Sequence, residues 1–335
     1  MTYIGLDVHK NHSTAAYRDP VTNEICVKKM KTDRDAFVRF VCMLPKPWIV
    51  AVEATREAPW ICRALLDCGA EVHLANPRQL APFGKHRRAK TDAKDAELLL
   101  DAIEKGYLPE AYLAPLEVQE LRAIARTQTT LRGIATMLSN ATSSLLCQNG
   151  ITLPGKKTYS TKNRDSMPQT IEQLSEPYAY SVELLWQLRE ATEHQTQLLT
   201  KQIEKAAKED EVLKALCQLP GIGALTAFGL VAELGDITRF KTVKNLHSYA
   251  GVVPKVSDTG DSHYAGKLPK ECNKRLRRLA ISAAQSAIRT KKPNEFKETY
   301  ARLRARHKPA NTAKIAAARK VLTRVFHTWK DLVDG

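Results

Sequence analysis

The chain has 335 residues, enough for two or three domains with cores of their own, and its 43% hydrophobic and 26% charged content are those of a globular protein. No apolar run approaches the ~20 residues of a membrane span, so an integral helical membrane protein is excluded. Net charge is +16 and uneven: residues 236–335 hold 23 basic and 8 acidic side chains, while residues 1–235 hold 29 and 28. A region so one-sided reads as a surface for a polyanion, and with few aromatics and no lipid-anchor motif, nucleic acid fits better than a membrane.

Residues 2–8, 12–18 and 24–30 read as three short strands, broken at 9–11 and at Asp19-Pro20-Val21-Thr22-Asn23, with lengths suited to an antiparallel meander. The N-terminus enters this strand pattern directly, without a signal peptide, so export is not expected and a cytoplasmic location is. A helix is predicted over 33–44, stopped by Pro45-Lys46-Pro47, followed by a strand over 48–53, a helix over 57–67 and a strand over 71–75. A further helix opens at Thr91-Asp92. Three hairpin strands, then alternating elements and a closing helix, give the order of a ribonuclease H-like (resolvase-like) α/β fold.

Four acids stand out in this first region. Asp7 lies inside the apolar run Tyr3–Val8, and Glu53 ends the run Trp48–Glu53. A carboxylate in a strand core is costly unless it is paired or binds a cation. Asp92 and Asp95, three apart, share one face of the closing helix. Taken alone that pair is an ordinary acidic first turn favoured by the helix dipole. With Asp7 and Glu53, the expected topology brings four carboxylates to one sheet edge, the donor set of hard divalent cations. The basic segment before the helix, with Lys85, Arg87 and Arg88, either balances that charge or meets a phosphate backbone. Seven scattered cysteines without a Cys-x-x-Cys read as free thiols in a reducing compartment, and the nine histidines show no zinc spacing.

Residues 116–148 and 179–216 show long helical periodicity separated by a polar stretch from Gly150 to Pro177, a pattern that serves a spacer or an oligomer. Leu219-Pro220-Gly221-Ile222-Gly223 joins two helices. Gly221 and Gly223 either expose backbone N–H groups to a phosphate, as in helix-hairpin-helix modules, or answer the sterics of a tight turn. After a helix over 242–250 comes a hydroxyl-rich loop, Tyr249 to Ser262. Lys270 then leads into a helix whose Lys274, Arg275 and Arg278 suit backbone neutralisation, and two more basic helices follow near 293–304 and 309–329.

In their order and spacing, Ile4-Gly5-Leu6-Asp7-Val8-His9-Lys10, Val52-Glu53-Ala54-Thr55, Lys90-Thr91-Asp92-Ala93-Lys94-Asp95-Ala96, Leu219 to Gly223, Tyr249 to Pro254 and Gly266 to Arg278 are specific. On them the chain resembles the IS one-ten family of insertion-sequence transposases, relatives of the Piv DNA invertase. The resemblance implies a DEDD-type catalytic domain over 1–108, a helical linker and oligomerisation region over 109–215, and a basic transposase domain with a helix-hairpin-helix over 216–335. It implies Mg²⁺ or Mn²⁺ on Asp7, Glu53, Asp92 and Asp95, a hydroxyl nucleophile that forms a covalent phosphoester, donor and target DNA, a noncoding guide RNA and a homo-oligomer. The family's Ser-Gly is Thr259-Gly260 in this chain, its usual serine is Pro269 and its usual glycine is Cys272. Thr259 is expected in the serine's role, with Ser257 as second choice. The alternatives are a metal-dependent structure-selective nuclease, a DNA invertase, and a nucleic-acid-binding relative impaired in cleavage.

Overall fold

The computed structural model describes residues 1–84, 91–155, 157–254, 256–259 and 262–335, with 256–259 and 262–265 described as backbone. The chain divides into two compact units, Met1–Ala114 and Pro115–Gly335.

Unit one holds β1 (Thr2–Val8), β2 (His12–Arg18), β3 (Ile25–Lys31), α1 (Arg34–Cys42), β4 (Trp48–Glu53), α2 (Ala58–Asp67), β5 (Glu71–Ala75), α3 (Pro77–Gly84) and α4 (Asp92–Glu104). The five strands form one mixed sheet in the order β3-β2-β1-β4-β5. β1, β2 and β3 pair antiparallel, whereas β1–β4 and β4–β5 are parallel. This topology fits the ribonuclease H-like arrangement expected from the order of elements. The stretch before α4, expected as a basic loop, contributes the short helix α3, where Leu80 is buried.

The alternation of strand side chains sorts the two faces. Ile4, Leu6 and Val8 of β1 and Val50 and Val52 of β4 join Phe37, Phe40, Ile61 and Leu65 of α1 and α2 in one core. The opposite face carries small residues, Ala16, Ala51 and Ala75, under Ala96, Leu98, Leu99, Leu100 and Ala102 of α4. Gly5 sits beneath this helix so closely that a Cβ would overlap Ala96 O and Leu100 N. Asp7 shares a face with Gly5, and Glu53 with Ala51. Both acids therefore stand on the side of the sheet that α4 covers.

Among the described residues, unit two is helical apart from one hairpin: α5 (Leu116–Gln148), α6 (Thr161–Glu172), α7 (Glu176–Glu209), α8 (Glu211–Cys217), α9 (Ala224–Leu234), α10 (Val243–Ala250), β6 (Val256–Thr259), β7 (Ser262–Ala265), α11 (Lys274–Arg289), α12 (Glu295–Ala305) and α13 (Ala310–Asp334). Its main core packs Leu230 of α9, Leu276, Ala280 and Ala284 of α11, and Val321, Leu322 and Val325 of α13. Three sequence expectations change here. The helix expected over 179–216 is two helices, because Asp210 caps α8, its Oδ1 accepting from Leu213 N at 2.8 Å. The polar 150–177 stretch contains α6, capped by Ser160, whose Met167 packs with Leu146, Val182 and Trp186. The hydroxyl-rich segment expected as a loop is the antiparallel hairpin β6–β7, with Thr259 opposite Ser262, since Val256, Thr259 and Tyr264 bring strand propensity to it. No described helix is long and apolar enough to cross a membrane.

Candidate metal centre and nucleic-acid surface

The acidic site is built by two strands and one helix. β1 and β4 run parallel, with Leu6 opposite Val52, so the next residues, Asp7 and Glu53, stand side by side near the C-terminal ends of adjacent strands. Ligand sites of open α/β sheets form at such ends. Thr91 starts α4 as its N-cap, accepting from Lys94 N at 3.3 Å, and puts Asp92 and Asp95 in the first turn. The Gly5 contact sets α4 at van der Waals distance from β1, and the helix N-terminus follows to Asp7.

Asp7 is 1% exposed, and its Oδ2 is buried without a hydrogen-bond partner among the described residues. His9 Nε2 lies 3.2 Å from Asp7 Oδ2 and 3.4 Å from Asp92 Oδ1. One ligand atom from each of Asp7, His9 and Asp92 lies within 4.8 Å of the other two. Asp92 and His9 are open to solvent, whereas Glu53 and Asp95 are half-buried. The Asp7 carboxyl is pushed up to about 7 from an ordinary 3.8. Burial is the largest cause; His9 pulls the other way, and Glu53, by charge and hydrogen bonding, and Asp95, by charge, push it higher. Carboxylates gathered so closely share a proton or a cation. His9 is thus the side chain that reaches both Asp7 and Asp92. A buried carboxylate crowded by other carboxylates, in an oxygen-rich donor set, fits Mg²⁺ or Mn²⁺.

His9 had no role in the sequence reading, although the signal was present. It stands two residues after Asp7, the spacing that returns to the same side of an extended chain. Lys85, Arg87 and Arg88 lie outside the described residues, as do the side chains of Ser257 and Thr259.

In unit two, Lys270, Lys274, Arg275 and Arg278 are exposed, the last three on α11. Gly221, at φ +81°, is required by packing: a Cβ would overlap Ala283 O and crowd Ala287 N of α11. Gly223 is exposed, its Cβ direction is open, and it stands at the N-cap of α9 without a side-chain cap. The two other departures from the family pattern meet at one side chain. Arg277 donates to Pro269 O at 2.5 Å, to Cys272 Sγ at 2.7 Å and to Ala250 O at 3.3 Å, tying the segment before α11 to the end of α10.

Glu233 of α9 is a buried carboxylate that the sequence reading did not single out. Arg126 of α5 holds it with a fork of 3.0 and 3.2 Å, and Asn273, the N-cap of α11, donates to it at 3.0 Å. Burial alone raises its carboxyl, but these hydrogen bonds and the charges of Arg126 and Arg122 outweigh burial and hold it below the usual carboxylate range.

A sheet with acids at its strand ends and a separate basic helical unit belong to a protein that works on polynucleotides, and known sequences narrow that class. A family model described as Transposase, of the DEDD type named for IS110, matches residues 4–149, and one described as Transposase IS116/IS110/IS902 family matches 213–301. The chain is 27% identical over 325 residues to a probable family 20 transposase of Pseudomonas aeruginosa, covering 96% of this chain and 94% of that protein. It is 26% identical over 294 residues to the transposase of insertion sequence element IS1328 of Yersinia enterocolitica, covering 85% and 83%. It is 24% identical over 328 residues to the transposase of element IS1111A of Coxiella burnetii, covering 95% and 86%. The chain belongs to the IS110 family of insertion-sequence transposases, which act on DNA.

Proposed function

We propose that this transposase cuts and rejoins DNA through a covalent phosphoester on a protein hydroxyl, with Asp7, Glu53, Asp92 and Asp95 as the metal-holding acids. The observation that carries the metal-centre reading is the buried Asp7 carboxylate, gathered with Glu53, Asp92 and Asp95 and faced by His9 Nε2 at 3.2 Å. A divalent cation bound there, Mg²⁺ or Mn²⁺, would neutralise the scissile phosphate and stabilise a departing sugar oxygen. His9 orients the Asp7 and Asp92 carboxylates and offers a proton-carrying nitrogen beside them. The Thr259 hydroxyl is assigned as nucleophile: its oxygen bonds to phosphorus as the bond to one sugar oxygen breaks, its proton passes to a base, and the departing oxygen takes up a proton. A sugar hydroxyl of another strand then reverses the step and frees Thr259. Lys85, Arg87, Arg88, Lys270, Lys274, Arg275 and Arg278 neutralise backbone phosphates, and the Gly223 end of the α8–α9 turn presents backbone N–H groups to one more.

By resemblance, the reading extends to a noncoding guide RNA, a homo-oligomer and a cytoplasmic place of work. Trapping tests it: incubated with its element's ends and Mg²⁺ or Mn²⁺, the protein acquires a DNA adduct that peptide mapping assigns to Thr259. Products without an adduct would instead support a nuclease in which water attacks. An adduct that survives Thr259→Ala removes Thr259 and turns attention to Ser257.

A further inference from the structure

Between α5, α9 and α11 lies a cavity of about 220 Å³. Its floor is apolar, formed by Leu225, Phe228 and Leu279. Its rim carries Arg132 of α5 and Arg275 and Arg278 of α11, none of which forms an ion pair with a carboxylate among the described residues. Arg126, also on the wall, is already engaged with Glu233. Thr129, Thr226 and Ser282 add hydroxyls to the wall, and one uncharged polar wall residue is buried. Gln128 is 6% exposed, and its amide Nε2 has no hydrogen-bond partner among the described residues. A buried amide donor left without an acceptor is rare, because desolvating it costs about 1–3 kcal/mol.

We infer that this cavity binds one unstacked nucleotide of a nucleic-acid strand, the base over Leu225, Phe228 and Leu279 with Gln128 reading its edge, the phosphate on Arg132, Arg275 and Arg278. The volume lies below the roughly 300–1,000 Å³ of sites that enclose whole small molecules, which suits a flat ring inserted from a strand whose sugar and phosphate stay at the mouth. A planar amide reads the donor and acceptor edge of a base, and splayed single-stranded bases are recognised through such edges and through apolar or guanidinium faces. An unpaired arginine rim supplies the sequence-independent part of the affinity. The inference rests on the nucleic-acid reading of α11 and adds α5 and a preference for unpaired bases to it. DNA and RNA offer the same chemistry here.

The test uses the full-length protein and short labelled oligonucleotides: single-stranded DNA and RNA of each base, a duplex control, and a single-stranded probe carrying 2-aminopurine. Anisotropy gives affinity and salt dependence, and 2-aminopurine emission reports transfer of a base out of its stack. We expect single strands to bind with a base preference, 2-aminopurine emission to change on binding, and Gln128→Leu to lower affinity for the preferred base by about five-fold or more while leaving the salt slope unchanged. Arg278→Ala, a surface change that spares the core, is expected to weaken every sequence and to lower the salt slope by about one. The DNA and RNA series show which strand the site takes. If single strands bind while Gln128→Leu keeps both affinity and base preference, the inference fails and the nucleic-acid reading of α11 stands. If the wild type binds neither DNA nor RNA, that reading fails and takes the inference with it.

Discussion

Asp7→Asn separates a cation-holding carboxylate from a structural one, because the two roles predict opposite signs. A carboxyl moved from 3.8 to about 7 is penalised in the folded state once it ionises. At about 1.4 kcal/mol per tenfold change in proton affinity, a pH above both values sets an upper bound on the order of 4 kcal/mol. The folded state binds the proton more tightly than the unfolded chain. This contribution is therefore fully present below 3.8 and is lost as pH rises through about 7. Asparagine keeps the shape and removes the charge, so the metal-free variant should be more stable than the wild type at mildly alkaline pH and gain nothing at acid pH. Urea unfolding of the metal-free protein followed by circular dichroism measures this, and repetition with Mg²⁺ or Mn²⁺ should stabilise the wild type and leave the variant unmoved. A variant less stable than the wild type at every pH would show that Asp7 is held by a favourable pair with His9, and the reasoning would fail.

Gly5→Ala should lower the stability of unit one by about 2–4 kcal/mol, as overpacking against helix backbone has no side chain to displace, and should abolish DNA cleavage by shifting α4 and its acids; unfolding and cleavage assays check both effects. His9→Ala, by contrast, should leave folding intact and lower divalent-cation affinity about 10-fold or more, read by isothermal titration. Glu233→Gln keeps the hydrogen-bonding shape but loses the ion pair with Arg126, and is expected to destabilise unit two by about 1–3 kcal/mol in thermal unfolding; Glu233→Ala should cost more, because it strips Asn273 and Arg126 of their acceptor. If the basic helices of unit two hold DNA as proposed, chelation with EDTA should stop strand cleavage and leave DNA retention in gel shifts largely unchanged.

Much of unit one was legible in its sequence because its elements are short, regularly punctuated and patterned at one clear period. Ile4-Gly5-Leu6-Asp7-Val8 shows the point: the strand and its acid lie in five residues, while the need for Gly5 under α4 emerges only from the packing. The spacing of His9 from Asp7 was there to be read, but its approach to Asp92 depends on the docking of α4. Unit two was harder, since helical periodicity runs through breaks that a single cap decides, as Asp210 does between α7 and α8. The β6–β7 hairpin escaped because Ser, Asp and Thr favour turns as much as strands, and pairing between 256–259 and 262–265 is a tertiary choice. Gly221 and Gly223 looked alike in sequence, yet only Gly221 answers to a neighbouring backbone. The burial of Glu233 and Gln128 arises from three helices distant in sequence, and no motif announces it.

The account stands on acids from β1, β4 and α4 binding a shared divalent cation. Crystals of the full-length protein soaked in Mn²⁺ and measured at the manganese absorption edge test this directly. An anomalous peak bonded to Asp7 and at least one of Glu53, Asp92 and Asp95, lost in Asp7→Asn, is the predicted result. Mn²⁺ bound elsewhere on the chain, with Asp7 held by His9 alone, would contradict the account.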